Sequence, residues 1–208
     1  MKIVCISDTH GRHHDVQLPS GDMLIHAGDV SAGGTESQIK DFLRWFSEQD
    51  FKYKIFIAGN HDFLFERDLE TAKGLIPENV IYLQESSITV EGFKIYGTPI
   101  TPYFLNWAFN RHPGEDIEKH VNKIPPDVDI LISHGPPYGI LDINVNGHHC
   151  GCQSLSSKIE KIKPKLLICG HIHEAYGQRQ IGKTTFINAS LVNEKYWYQN
   201  DPVIVELD

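Results

Sequence analysis

Five short apolar runs of this chain end in the same way, with a metal-capable or acid/base side chain that in most cases sits beside a glycine. "KIVCIS" runs into Asp8-Thr9-His10 and "DMLIHA" into Gly28-Asp29. "YKIFIA" leads to Gly59-Asn60-His61-Asp62, "DILIS" to His134-Gly135, and "KLLIC" to Gly170-His171-Ile172-His173. Near-continuous apolar runs of this length suit strands covered on both faces. In open α/β sheets, ligands bind just beyond the carboxyl ends of strands. Glycine there lets the backbone turn away and leaves room around a ligand. The pattern predicts an α/β protein whose corners, spread from Asp8 to His173, converge on one site.

"ITVEGFKIYG" is a further strand-like run. In "TESQIKDFLRWFSEQ", Ile39, Phe42, Leu43 and Phe46 form a stripe at helical spacing, and Thr35 with Gln38 has the pattern of a capping box. "SLSSKIEKIKP" predicts a second short helix that stops near Pro164. With 208 residues and no internal repeat or linker, one domain over 1–208 is expected. The net charge of −8 argues against a broad basic surface for extended nucleic acid. No run has the length of a membrane span, and "MKIVCISDTH" enters a strand without the features of a signal peptide. Cys5 and Cys169 lie in apolar runs, as buried free thiols do. A cytoplasmic location without membrane attachment is the corresponding expectation.

D-x-H, G-D, G-N-H-D, S-H-G and G-H-x-H, in this order, form the signature of the calcineurin-like metallophosphoesterases. "LPSGDMLIHAGD", "YGTPITPYFLNWAFN", "SHGPPYGILD", "GHIHEAYG" and "NASLVN" resemble the small branch that includes the metallophosphoesterase-domain brain proteins. The resemblance implies a four-layer α/β/β/α sandwich with two mixed sheets and two divalent metal ions at one end. It assigns Asp8, His10, Asp29 and His173 to one metal, and Asp29, Asn60, His134 and His171 to the other, with Asp29 bridging. Carboxylate, imidazole and amide ligands suit Mn first, with Fe or Zn as alternatives. Paired metals of this kind activate a bridging water for in-line attack on phosphate. His61 is implied as the general acid, and its ordinary pKa suits that role. Asp62 is either a partner that orients His61 or a solvated carboxylate.

Other residues carry weaker expectations. His13 and His14 match no ligand position and read as exposed loop residues, and His26 as a core or supporting histidine. "NGHHCGCQSL" (146–155) lacks zinc-site spacing. It reads as a loop over the site, with His149 a candidate substrate contact. The aromatic and amide-rich stretch 98–116 is either a structured loop or a substrate wall. As a wall, Tyr103, Trp107 or Phe109 would stack a base, while Asn106, Asn110 or Arg111 would meet sugar or phosphate. Arg12 is a further candidate for phosphate. The same stretch could serve a homo-oligomer contact instead.

The function expected is a metal-dependent phosphodiesterase for small phosphodiesters, cyclic nucleotides leading. A phosphomonoesterase or phosphoprotein phosphatase is the alternative, although "GDVSAGG" and "GNHDF" depart from the G-D-x-x-D-R-G and G-N-H-E of the protein phosphatases. A nuclease would want a basic groove. A non-catalytic binding module of the same fold would be expected to have lost ligands, and here every ligand position is filled.

Overall fold

The computed structural model describes residues 1–207. The apolar runs pair into two main sheets. In the first, β1 (Lys2–Ile6), β2 (Met23–His26), β3 (Tyr53–Phe56) and β4 (Ile81–Tyr82) run parallel. The second contains β5 (Ser86–Val90), β6 (Phe93–Thr98), β9 (Ile130–Ser133), β10 (Leu166–Cys169), β11 (Gly177–Ile181) and β12 (Thr184–Asn188), in the order β11-β12-β10-β9-β6-β5. A small ladder joins β7 (Thr101–Pro102) to β8 (Asn110–Arg111). The last strand, β13 (Val203–Glu206), closes the first sheet antiparallel to β1.

Side-chain alternation explains why these strands are apolar on both faces. Ile3, Cys5, Met23, Ile25 and Ile55 pack with Ile95, Ile130, Ile132, Ile168 and Ile187, so one core lies between the sheets. Val4, Ile6, Leu24 and Phe56 point the other way, into a cluster shared with helix α1 (Glu36–Glu48). Phe42 and Phe46 of that helix meet Phe56 edge-on at 5.5 and 6.0 Å. Short helices α2 (Phe63–Arg67) and α3 (Leu69–Gly74) follow β3. Helices α4 (Glu115–Val121) and α5 (Gln153–Ile162) contribute Ile117, Val121, Leu155 and Ile159 to the outer core. The result is the four-layer sandwich of two mixed sheets.

Local signals account for most boundaries. Gln38 N–H donates to Thr35 Oγ1 at 3.4 Å, and Thr35 N–H donates back to Gln38 Oε1 at 3.3 Å. Thr35→Ala is therefore expected to cost about 1 kcal/mol. A thermal melt should show a fall of about 3 °C. Helix α5 starts one residue earlier than expected, capped by Cys152 Sγ, and ends at Lys163 in a left-handed conformation before Pro164. The run "ITVEGFKIYG" is two strands rather than one. Glu91 and Gly92 both take positive φ and turn β5 back on β6 as a tight hairpin.

The register places the site. Ile6, His26 and Phe56 are aligned across β1, β2 and β3, so their carboxyl ends are flush. β9 and β10 end together in the second sheet. At that end the chain after β12 crosses over: Ala189 N–H donates to Cys169 O, and Leu191 N–H to Ser7 O. No helix among the described residues is long and apolar enough to cross a membrane.

Candidate metal centre

All of the strand-end corners meet at this seam. Asp8 N–H donates to Gly28 O at 2.9 Å and His10 N–H to Asp29 O at 3.0 Å, which locks the first corner to the second. Across the seam, His171 N–H donates to Asp8 Oδ2 at 3.0 Å, while His134 Nδ1 lies 2.9 Å from Ala27 O. The turns are sharp. Asp8, His10, Asp29 and His171 all have φ between 45° and 69°, a region unfavourable for residues with a Cβ. Strain concentrated in this way is typical of functional sites.

Two clusters result. In the first, His173 Nε2 is 3.5 Å and His10 Nε2 3.9 Å from Asp8 Oδ1, and the two imidazole nitrogens are 3.3 Å apart. In the second, His134 Nε2 lies 3.3 Å from Asp29 Oδ2 and 2.9 Å from Asn60 Oδ1, with His171 close by. Asp29 joins them, because its Oδ2 also faces His10 Nε2 at 3.7 Å. Its Oδ1 accepts the His61 backbone N–H at 2.7 Å. Asp8, Asp29, Asn60 and His134 are all buried.

The chemistry of this donor set fits divalent cations. Nδ1 of His134 and of His173 donates to a backbone carbonyl, that of Ala27 or Asn193. In its neutral form each ring then presents an Nε2 lone pair to the cluster, the usual arrangement of metal-ligating histidines. Those lone pairs face carboxylate and amide oxygens, so the atoms repel unless a proton or a cation sits between them. No lysine or arginine pairs with Asp8 or Asp29 among the described residues. Burial alone would raise Asp8, but the hydrogen bond and charge of His173, with His134, outweigh it and hold the carboxyl below the usual range. Burial acts likewise on Asp29, and His134 and His10 hold it well below the usual range. Burial lowers His134, but Asp29 and Asp8 raise it to about 9. His10 is pushed down to about 4 by burial, and His171 to about 3 by burial and then by His134. Burial thus keeps His10 and His171 neutral, while the two carboxylates favour the charged form of His134. The clusters are able to hold metal ions.

His61 stands beside them, its ring stacked on Trp107 at 4.1 Å and its Nδ1 2.9 Å from Ala32 O. Both readings of Asp62 need correcting. Its carboxylate is fully buried and accepts from Val30 N, Ser31 N, Ser31 Oγ and Gly59 N. It ties the Asp29 corner to the Asn60 corner, and the ring of His61 is oriented by Ala32 O instead. Burial, and then Asp29, push Asp62 up to about 6.

A cavity of about 600 Å³ opens over both clusters, lined among others by Tyr103, Phe104, Leu105, Trp107 and Tyr196. Of the expected substrate contacts, Tyr103 and Trp107 line it and Arg12, Asn106, Asn110, Arg111 and His149 do not. Asn106 accepts from Tyr103 Oη, and Asn110 is bonded to Thr101 Oγ1 and Phe104 O. Arg111 binds His120 and Glu66, and Arg12 binds Asp15 and Tyr196 O. His149 pairs with Asp142 at 2.7 Å and faces a different cavity, of about 820 Å³, along α4 and α5. Phe109 is buried in the core rather than free to stack. These side chains brace the loops that carry the wall. His13 is buried rather than exposed, under Trp45 and Phe42, while His14 is exposed. His26 is the buried supporting residue expected, bonded to Thr9 Oγ1 at 3.0 Å.

The sequence reading missed Tyr196, whose ring lies 4.7 Å from His10 and 5.3 Å from His173. It also missed Glu174 and Glu194, which line the same cavity. "NEKYWYQN" has no periodicity, so aromatic content was its one available signal.

Residues 1–175 match the family model described as calcineurin-like phosphoesterase. The chain is 40% identical to the human metallophosphoesterase domain-containing protein 1 over 230 residues, covering 99% of this chain and 71% of that protein. It is 27% identical over 163 residues to a probable glycerophosphodiester phosphodiesterase from Arcobacter nitrofigilis, covering 74% of this chain and 58% of that protein. A solved phosphopantetheinyl hydrolase from Mycobacterium tuberculosis shares the fold with a TM-score of 0.61 at 15% identity, over 94% of this chain and 91% of that one. With acid, amide and imidazole gathered at the strand ends in the order of the sequence signature, the chain belongs to the calcineurin-like phosphoesterase family.

Proposed function

We propose that this protein is a dinuclear-metal phosphodiesterase for small phosphodiesters, with 2′,3′- or 3′,5′-cyclic nucleotides as the leading class. The observation that carries this reading is the lining of the cavity over the clusters. Its wall is aromatic and apolar, it contains Glu174 and Glu194, and no lysine or arginine lines it. A phosphomonoester dianion would meet those carboxylates without a compensating side-chain cation. A diester carries one charge fewer, and its second ester arm can cover the Tyr103, Phe104 and Trp107 surface. The volume suits a nucleotide-sized ligand. A polyanionic nucleic acid strand would meet the same negative wall.

Asp8, His10, Asp29 and His173 would hold one metal ion, and Asp29, Asn60, His134 and His171 the other. When bound, such a pair supplies an acidified water and a clamp for phosphate oxygens. The protein supplies the rest. Asp29 Oδ1 fixes the backbone at His61, and Ala32 O accepts from Nδ1, so the ring is oriented to present Nε2, which in the doubly protonated imidazolium carries the proton for the leaving oxygen. Trp107 holds the ring plane by stacking on its face.

His61→Ala is expected to keep both metals and to lower turnover by about 10²–10⁴-fold, most for poor leaving groups. Metal analysis of this variant also separates roles, because His61 lies within ligand distance of His10 and Asp29. Loss of a metal ion would make His61 a ligand instead of an acid. The reading itself is tested with chelator-treated enzyme reloaded with Mn, Zn or Mg. Its rates on 2′,3′-cyclic AMP, 3′,5′-cyclic AMP, bis-p-nitrophenyl phosphate and p-nitrophenyl phosphate are then compared. Metal-dependent turnover that favours the diesters is expected, and dominant monoester turnover would overturn the diesterase assignment.

A further inference from the structure

A second kind of histidine–carboxylate cluster lies outside the centre. After the first corner the chain forms a single 3-10 turn, His13–Asp15, which packs on α1. His13 Nε2 is 3.2 Å and His14 Nε2 3.3 Å from the same atom, Oδ2 of Asp41. The two rings are adjacent, with centroids 4.4 Å apart.

The distances separate two kinds of contact. Where histidine hydrogen-bonds a carboxylate elsewhere in this protein, the contact is short: 2.6 Å for His120–Glu85 and 2.7 Å for His149–Asp142. That is the range of a charge-assisted hydrogen bond. The histidine–carboxylate contacts within the candidate metal centre are longer, from 3.3 to 3.9 Å. Both contacts to Asp41 fall outside the first group, near the short end of the second. Two donors bound to zinc at their usual lengths and spread at the tetrahedral angle stand about 3.3 Å apart. His13 resembles the centre's own His10 in a further respect. Among the described residues, the histidine nitrogens buried without a partner are Nδ1 of His10 and Nδ1 of His13, so each ring is oriented through Nε2 alone.

We propose that His13, His14 and Asp41 form a separate site for a divalent transition-metal ion of the zinc class, completed by water and clipping the 3-10 turn to α1. Two imidazoles and one carboxylate with an open position form a zinc-type ligand set. The site is reachable, since the side chains of His14 and Asp41 are 60% and 45% exposed. His13 supplies its rigid side, walled by Phe42 and Trp45. Burial pushes the His13 imidazole down to about 4, so it is neutral and can donate a lone pair at neutral pH. An ion here would stiffen the segment that leads from His10 through Arg12, whose guanidinium holds Tyr196 O over the cavity.

The test is metal stoichiometry. Chelator-treated protein is exposed to micromolar Zn²⁺, desalted and analysed for zinc per chain, alongside His14→Ala and Asp41→Asn. His14 is exposed and Asp41 half-buried, and a thermal melt without metal verifies that the variants fold. Each variant is expected to hold one equivalent fewer than the parent. Co²⁺ loaded in place of zinc should lose the corresponding tetrahedral absorption in Asp41→Asn. The same difference is expected in an Asp29→Asn background, so the outcome does not depend on the proposed dinuclear centre. Equal zinc content in parent and both variants would overturn the proposal.

Discussion

Asp29→Asn is expected to release both metal ions and lower kcat/KM by on the order of 10³, equivalent to a few kcal/mol of lost transition-state stabilisation. Asp29 is singular because one oxygen, Oδ2, faces both His10 and His134, while the other accepts from the His61 backbone. Asparagine preserves the shape and tolerates the left-handed backbone at this position, where φ is 54°, so the change removes charge without forcing the turn to move. Asp8→Asn is the control. Asp8 takes part in the His10–His173 cluster and not in the cluster of His134 and His171, so it should release one metal and leave the other. Metal analysis by mass spectrometry distinguishes the two patterns. Retention of both metals by Asp29→Asn would refute the bridging role.

The second large effect comes from a residue without a side chain. Gly59→Ala is expected to destabilise the fold by about 3 kcal/mol or more. In a chain of 208 residues this lowers the melting temperature by about 10 °C. A Cβ on Gly59 would overlap Asp29 N and Oδ1 and come within 2.6 Å of His134 Cε1. The Asp29 backbone cannot yield, because it is bonded to the first corner through His10 N–H. Gly59 has no positive φ, so this is a pure test of close approach. Gly170→Ala should behave similarly, its Cβ meeting the side chains of Asp8 and Ser7. Differential scanning calorimetry and metal content of the two variants test this, and a melting temperature within a degree or two of the parent would disprove it.

Much of the architecture was legible because it follows from local rules. Runs such as "KIVCIS" and "KLLIC" are apolar on both faces, and the structure buries both faces of the matching strands. Thr35 and Gln38 specified the start of α1 through groups three residues apart. The hairpin at Glu91-Gly92 was hidden inside one apolar run, and α2, α3 and α4 are too short for helical periodicity to show.

At the site, the order of polar corners was sufficient to nominate the residues that the seam brings together. Their supports were not legible. Ala27 O, Ala32 O and Asn193 O orient His134, His61 and His173, and a backbone carbonyl has no identity in a sequence. Nor could sequence show that Asn110 and Arg111 are occupied in bracing a loop while Tyr196 reaches the histidines. The sequence by itself determined which side chains are available and at which strand ends they stand, because apolar periodicity and glycine act within a few residues. Only the tertiary structure decided which of them share one oxygen of Asp29, which wall the cavity, and that His13, His14 and Asp41 meet. Those relations depend on two sheets ending at one seam and on α1 packing beside it, which non-local burial sets.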